Sequence, residues 1–430
     1  MIQGKKSENR PQRRIFLFSL LAFLTVLSSS VYSQNNHTTS PYTQFGYGQV
    51  TDQSFGSQRS MGGIGYGLRN SQMINPLNPA SYSSVDSMTF MLDLAVSVQK
   101  GWLKDGNNRS TYNYGGLEYV AIQVPLAEKL GLGIGLTPLT RVGYNFGTTD
   151  EIPSSDAIEA TRTYSGSGGL NKVYGTLSYN FFDRLSLGVN VGYLFGDIKR
   201  QSSSMPMVTG SLRTVWSDTL RSSGITYEIG AQYYIPINKK NEIIVGLVYT
   251  PKISIASTFK QWEISGATVG SERNFDFQMP ETFGLGATYV RPNRLTVGVD
   301  FQYQRWSNTN YLKEFTKSDL SDRMKINAGL EYIPNHTGYN FFSRMRYRVG
   351  GYYTNSYIKV ENTYGYDDFG ATLGFGFPLS DRRSFINLGF EYNLVNPEKR
   401  SNGNMIDEQY LRFTLSYTFN ELWFFKRKLQ

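Results

Sequence analysis

The chain has 430 residues, 43 Lys and Arg against 34 Asp and Glu for a net charge of +9, two His and no Cys. The lack of Cys excludes disulfide scaffolds and thiolate chemistry, and a mean hydropathy of −0.37 excludes a bundle of transmembrane helices, which needs several runs of about 18 or more apolar residues. Low hydropathy with 15% aromatics and 43 Gly suits a transmembrane β-barrel, whose strands are apolar on one face only.

In chain order, Lys5, Lys6, Arg10, Arg13 and Arg14 oppose the single acid Glu8, an apolar stretch covers 15–27, and Val31-Tyr32-Ser33 closes the segment. Basic, apolar and small-residue regions in that order predict a secretory signal peptide over 1–33. An exported chain without Cys suits a bacterial envelope. Residues 34–87 show no sustained alternation and are rich in Gly, Ser, Asn and Gln, with Pro76 and Pro79. They fit a small plug, or hatch, folded inside a barrel.

From residue 88 the sequence alternates. Leu295, Val297, Val299, Phe301 and Tyr303 fall on one face of a strand; Thr296, Gly298, Asp300, Gln302 and Gln304 fall on the other. Side chains of a strand point alternately to its two faces, and a membrane barrel sets lipid against one and its lumen against the other. This pattern predicts about fourteen strands between 88 and 419, beginning near 88, 115, 130, 173, 184, 225, 241, 281, 294, 323, 344, 370, 384 and 409. Short connections rich in Pro, Asn, Asp and Lys alternate with long ones at 100–114, 148–172, 198–224, 257–280, 307–322, 355–369 and 395–408. Bacterial outer-membrane barrels have short periplasmic turns and longer outer loops. The expectation is therefore an all-β, antiparallel transmembrane barrel in the bacterial outer membrane, with both termini in the periplasm. Residues 420–430, with Trp423, Phe424 and Phe425 beside Lys426, Arg427 and Lys428, are expected to form a periplasmic tail.

Strand parity also predicts what the lumen contains. An Arg on the lipid face at mid-membrane costs roughly 2–4 kcal/mol, so the ladder Arg344, Arg346 and Arg348 must point inward, together with Asp300, Lys325, Glu331, Glu391 and Arg412. Such charges can form a structural ion-pair network that docks a plug, or a site for an anion or carboxylate. Inward Gly at 131, 133, 188, 284 and 374 leaves room for something inside. Pro138 and Gly143 interrupt the third strand and mark a candidate kink, because Pro breaks ladder hydrogen bonding.

The runs Arg59-Ser-Met-Gly-Gly-Ile-Gly-Tyr-Gly-Leu-Arg69 and Asn75-Pro-Leu-Asn78-Pro79-Ala80, followed by a first strand from Met88, resemble the FadL family of outer-membrane transporters. Met279-Pro280-Glu-Thr-Phe-Gly-Leu-Gly-Ala-Thr-Tyr289 is similar to that family's second recurring pattern, and Ser40-Pro41-Tyr-Thr-Gln-Phe-Gly-Tyr-Gly48 resembles barrels of Bacteroidota. The resemblance implies a fourteen-stranded barrel whose hatch contains Asn78, Pro79 and Ala80. It also implies passive uptake of a hydrophobic or amphipathic small molecule, with lateral exit through the wall where a strand kinks. Uptake predicts an apolar cavity under the 148–172 and 198–224 loops. The alternative is a non-transporting barrel that is a subunit of a larger outer-membrane secretion or assembly complex, with outer-membrane proteins as partners.

No enzyme, metal or cofactor is expected: His37 precedes the plug, and His336 sits in a turn, away from any Ser-His site. The basic residues are dispersed, which argues for contact with membrane lipid and lipopolysaccharide and against nucleic acid.

Overall fold

The computed structural model describes residues 40–151, 159–208, 210–360, 365–398 and 406–423. The expected signal peptide and the tail beyond 423 lie outside the described residues. The alternating pattern produces fourteen wall strands among the described residues. They are β1 (Thr89–Asp105), β2 (Asn108–Ala127), β3 (Leu130–Pro138 and Thr140–Glu151), β4 (Glu159–Phe181), β5 (Leu185–Pro206), β6 (Thr214–Asn238) and β7 (Asn241–Thr250 and Ile253–Ser265). After these come β8 (Ala267–Met279 and Glu281–Arg291), β9 (Leu295–Arg305), β10 (Arg323–Tyr332), β11 (Arg346–Asn355), β12 (Tyr366–Pro378), β13 (Phe385–Pro397) and β14 (Asp407–Leu422). Each pairs antiparallel with the next. β14 returns to β1, with Leu415 opposite Val96, and closes the barrel.

Burial follows the two-residue period. On β5, Leu187, Val189, Val191 and Tyr193 are exposed, whereas Gly188, Asn190, Gly192 and Leu194 are buried. The exposed apolar side chains form the belt that meets hydrocarbon, and the alternate positions line the lumen.

The wall is taller on one side than the alternation indicates. A tilted strand crosses a bilayer in about 9–11 residues, and β9, β10 and β11 have 11, 10 and 10. β4, β5 and β6 have 23, 22 and 25 residues. The connections expected at 148–172, 198–224 and 257–280 are largely strand, and the first hairpin turns within 105–108. The physical reason is that outward positions above the membrane face water. They no longer have to be apolar, so the alternation ends while the ladder continues.

Two other connections fold inward rather than outward. The stretch after β9 contributes buried Phe315 and Leu320, and the stretch after β11 contributes buried Tyr357 and Ile358. A two-residue ladder joins Leu320 to Ile358.

The plug, residues 40–88, runs down the lumen. Ser40 starts at the long-loop end, where its hydroxyl donates to Glu408 at 2.5 Å. Met88 ends the plug at the short-turn end, where its carbonyl accepts from the Trp423 amide at 2.8 Å. The described N-terminal residue therefore lies at the end opposite to the one expected for the N-terminus.

Candidate functional site: the lumen and its plug

The lower plug is fastened backbone to wall. Asn78 caps the 3-10 turn Pro79–Ser84, its Oδ1 accepting from the Ala80 amide at 3.0 Å. Its Nδ2 donates to the Tyr66 carbonyl at 2.8 Å and to the Ala231 carbonyl of β6 at 3.1 Å. Asn78 thus ties two plug segments to the wall, and Pro79 and Ala80 form the turn that it caps. Inward Gly permits the approach. A Cβ on Gly246 would lie 1.8 Å from the Tyr66 carbonyl oxygen, and one on Gly329 would lie 2.0 Å from that of Met61. Asp300 accepts from the amides of Gly65 at 2.5 Å and Tyr66 at 2.9 Å.

The lumen charges are joined by register. Glu331 lies opposite Arg348 and Glu391 opposite Arg412. Glu331 bridges Arg348 at 2.7 Å and Arg346 at 3.4 Å, and Arg412 meets Glu391 at 3.3 Å. Arg348 also donates to Asn387 at 2.7 Å, and Arg346 donates to Gln72 of the plug. Lys325 reaches Asp52 of the plug at 2.5 Å. Burial alone would raise the Asp52 carboxyl, but Lys325 and Arg59 outweigh it and hold it well below the usual carboxylate range. Arg344 is not part of the ladder. It ends the helical turn Phe341–Arg344 before β11 begins, and its Nε is buried without a partner. Strand parity cannot reach it because the strand has not yet started there.

Three residues that parity does not single out hold the plug at the kink. Arg59 of the plug meets Glu118 at 2.8 Å, and Arg141 of β3 meets the same carboxylate at 3.1 Å. Glu118 sits at a bulge where the β1–β2 register shifts between Ala95 and Val96. A bulge re-aims side chains, so Glu118 and Tyr119 both turn inward, and a strict two-residue count misses Glu118. The readable signal was a lone acid inside a membrane strand.

At the kink, β3 breaks at Leu139, between Pro138 and Thr140. The β2–β3 ladder runs only from Val120–Leu136 to Ala127–Leu130. The outer piece of β3 pairs instead with the plug, Gln49 opposite Arg141 and Val50 opposite Thr140. The Pro138 carbonyl accepts from Thr51 at 2.5 Å and Gln53 at 2.8 Å. Gly143 lies within this seam, its amide donating to Thr43 at 3.2 Å and its carbonyl accepting from Ser40 at 3.3 Å.

In the outer half, where uptake calls for an apolar cavity, an apolar core is packed instead. Tyr47 of the plug stacks on Phe277 at 4.5 Å, with Trp306 and Phe315 at 6.5 and 6.4 Å. Leu194, Ile198, Leu220, Ile255 and Phe259 pack around them. Tyr357 accepts from the Tyr47 amide at 2.8 Å and donates to the Gly48 carbonyl at 2.6 Å. Arg200, buried under the Phe315 ring, donates to the carbonyls of Phe315 and Gly46. A cavity of about 400 Å³ lies at the short-turn end and is polar, lined by residues such as Arg69, Ser84, Asp86, Glu128 and Glu242. Among the described residues no group of three or more His, Cys, Asp or Glu is placed to hold a metal ion.

Solved barrels share this architecture. A Pseudomonas aeruginosa FadL homologue aligns with a TM-score of 0.60 at 14% identity over 86% of this chain and 99% of its own. The P. putida toluene transporter TodX aligns at 0.56 and 15%, over 89% and 100%. The Ralstonia pickettii toluene transporter TbuX aligns at 0.54 and 14%, over 85% and 98%. At these identities the likeness establishes a FadL-like fold. No curated protein matches the sequence. The sequence model of the BamG family matches residues 14–430.

Proposed function

The chain belongs to the BamG family, and from that premise we propose that it is a non-transporting barrel subunit of an outer-membrane assembly complex. The family name associates the chain with the BAM machinery, whose proteins would be its partners. The barrel would sit in the bacterial outer membrane with its short turns in the periplasm. Its described N-terminal residue, Ser40, would then face outside and Leu422 the periplasm.

The observation that carries this reading is the filled lumen. Plug backbone lies against inward Gly in the lower half, and an aromatic core occupies the upper half. A hydrophobic solute needs a concave apolar pocket, and its lateral exit would have to pass the polar seam of Gln53, Arg141 and Glu118. A passive uptake role rests on the fold alone. The filled interior counts against it, and a rigid barrel presenting surfaces to partners has no need of a cavity.

The test is to extract the chain from its native membrane in mild detergent and weigh what comes out, then to deplete it in cells. Assembly-machinery proteins in fixed stoichiometry, with other barrels falling in abundance on depletion, are the expected outcome. A lone barrel whose depletion lowers only the uptake of hydrophobic compounds would overturn the reading.

A further inference from the structure

The basic residues are dispersed along the sequence, but the fold gathers five of them on one arc of the short-turn rim. Arg291 ends β8, Arg294 lies in the turn to β9, Arg344 precedes β11, and Arg382 and Arg383 lie in the turn from β12 to β13. The three turns are neighbours. The Ile333 amide donates to the Arg294 carbonyl at 2.9 Å, and the Phe341 ring lies 6.3 Å from that of Phe377 on β12. The one acid in these turns, Asp381, is already engaged. Its carboxylate accepts from the amides of Arg383 and Ser384 at 3.0 Å and from the Ser384 hydroxyl at 2.6 Å. Among the described residues none of the five guanidinium groups has an ion pair or a side-chain hydrogen bond. The opposite arc is built differently. Its turns at 128–129, 182–184 and 239–242 hold four bases against three acids, and Lys129 meets Asp183 at 2.6 Å.

The five arginines stand at the level of lipid headgroups. The strands of this sector have the length of one membrane crossing, so their short-turn ends mark the edge of the hydrocarbon. Arg291 lies opposite Leu295, which begins the apolar face of β9. Arg344 and Arg383 each precede a wall strand by two positions. That is at most about 7 Å along the chain, and about 5 Å in height at a tilt of about 40°. Headgroups form a layer roughly 5–8 Å deep on each side of the hydrocarbon, so the guanidinium groups fall within it. Aromatic rings mark the same level. Tyr332, Phe341 and Phe342 are exposed, as in the girdle that borders a barrel's apolar band.

We propose that this arc is a binding site for the phosphate groups of anionic phospholipid in the periplasmic leaflet. Arg presents a planar fork that grips a phosphate through two hydrogen bonds, and cations clustered at a bilayer surface attract anionic lipid. The same turns carry the exposed rings, so the fitting ligand offers an anionic group and an apolar chain together. A phospholipid does this and an acidic protein surface does not. The inference rests on the orientation that puts the short turns in the periplasm, and it is independent of the subunit role.

The test mixes the full chain in mild detergent with equal amounts of phosphatidylglycerol and phosphatidylethanolamine and counts the retained lipids by native mass spectrometry. The expected result is a preference for phosphatidylglycerol of about tenfold or more. Arg344→Gln with Arg382→Gln and Arg383→Gln should abolish that preference. Lys239→Gln with Lys240→Gln, on the opposite arc, should leave it intact. Unchanged heat-dependent gel mobility shows that both variants fold. Equal retention of the two lipids by the unsubstituted chain overturns the site, as does a preference that survives the arginine substitutions or is lost equally with the lysines. A photo-crosslinking amino acid at position 382 should give lipid adducts in cells; a protein adduct in their place overturns the choice of ligand. The chain has no Cys, so Ser380→Cys, exposed in the same turn, reports the side. It should be shielded in intact cells from a membrane-impermeant maleimide. Labelling there overturns the leaflet and the orientation it rests on, even where the lipid preference holds.

Discussion

Glu118 offers the sharpest test of how the plug is held. Its carboxylate serves Arg59 of the plug at 2.8 Å and Arg141 of the wall at 3.1 Å, and their side chains are only 1%, 7% and 11% exposed. Glu118→Ala leaves two guanidinium groups facing each other with little water to screen them. Removing one partner of a buried ion pair costs about 3–5 kcal/mol, because the remaining charge is buried and uncompensated. Trp306 is 1% exposed and packs near Tyr47 of the plug, so its emission reports plug release. In a urea titration of the detergent-solubilised barrel, a slope of about 2 kcal/mol/M converts that cost into a midpoint about 1.5–2.5 M lower. Adding Arg59→Ala to Glu118→Ala should restore part of the loss, because one orphaned charge disappears. Arg221→Ala breaks an exposed pair and should not shift the midpoint measurably. If Glu118→Ala behaves like Arg221→Ala, the seam is not held electrostatically and the reasoning is wrong.

Four further outcomes are expected. Gly246→Ala sets a Cβ against the Tyr66 carbonyl and should destabilise plug docking by about 1–3 kcal/mol, read as faster proteolysis within 40–88, whereas Gly175→Ala, with nothing within 4 Å, should be silent. Tyr47→Ala empties the centre of the outer core and should cost about 3 kcal/mol, seen as an earlier Trp306 transition. Leu285→Arg places a charge in the lipid belt and should cost roughly 2–4 kcal/mol in unfolding from bilayers. The Asp52 carboxyl is held below its ordinary value, against about 3.9 in the unfolded chain. The Asp52 contribution is therefore complete above that unfolded value and is lost as pH falls through the depressed one. Protease protection of the plug should hold from pH 7 to about pH 4 and fall only in stronger acid; a loss between pH 7 and pH 5 would contradict the Asp52–Lys325 contact.

The sequence by itself determined the membrane-embedded part of the wall. Hydrocarbon on one side and a polar lumen on the other impose a two-residue period on every strand of the wall, so runs such as 295–303 declare both a strand and its faces. Parity alone put Glu331 and Arg348, and Glu391 and Arg412, on the same side of the wall. The tertiary structure decided what parity cannot encode. Above the bilayer no hydrocarbon enforces the period, so the extra height of β4, β5 and β6 carries no strand signature in the sequence. A single bulge reset the count and turned Glu118 inward, and Arg344 fell just short of its strand. That the lumen is closed depends on Tyr47, Phe277, Phe315 and Tyr357 meeting from four distant segments. The contacts to Tyr47 join side chains more than 200 residues apart, and no local pattern records which of them will touch.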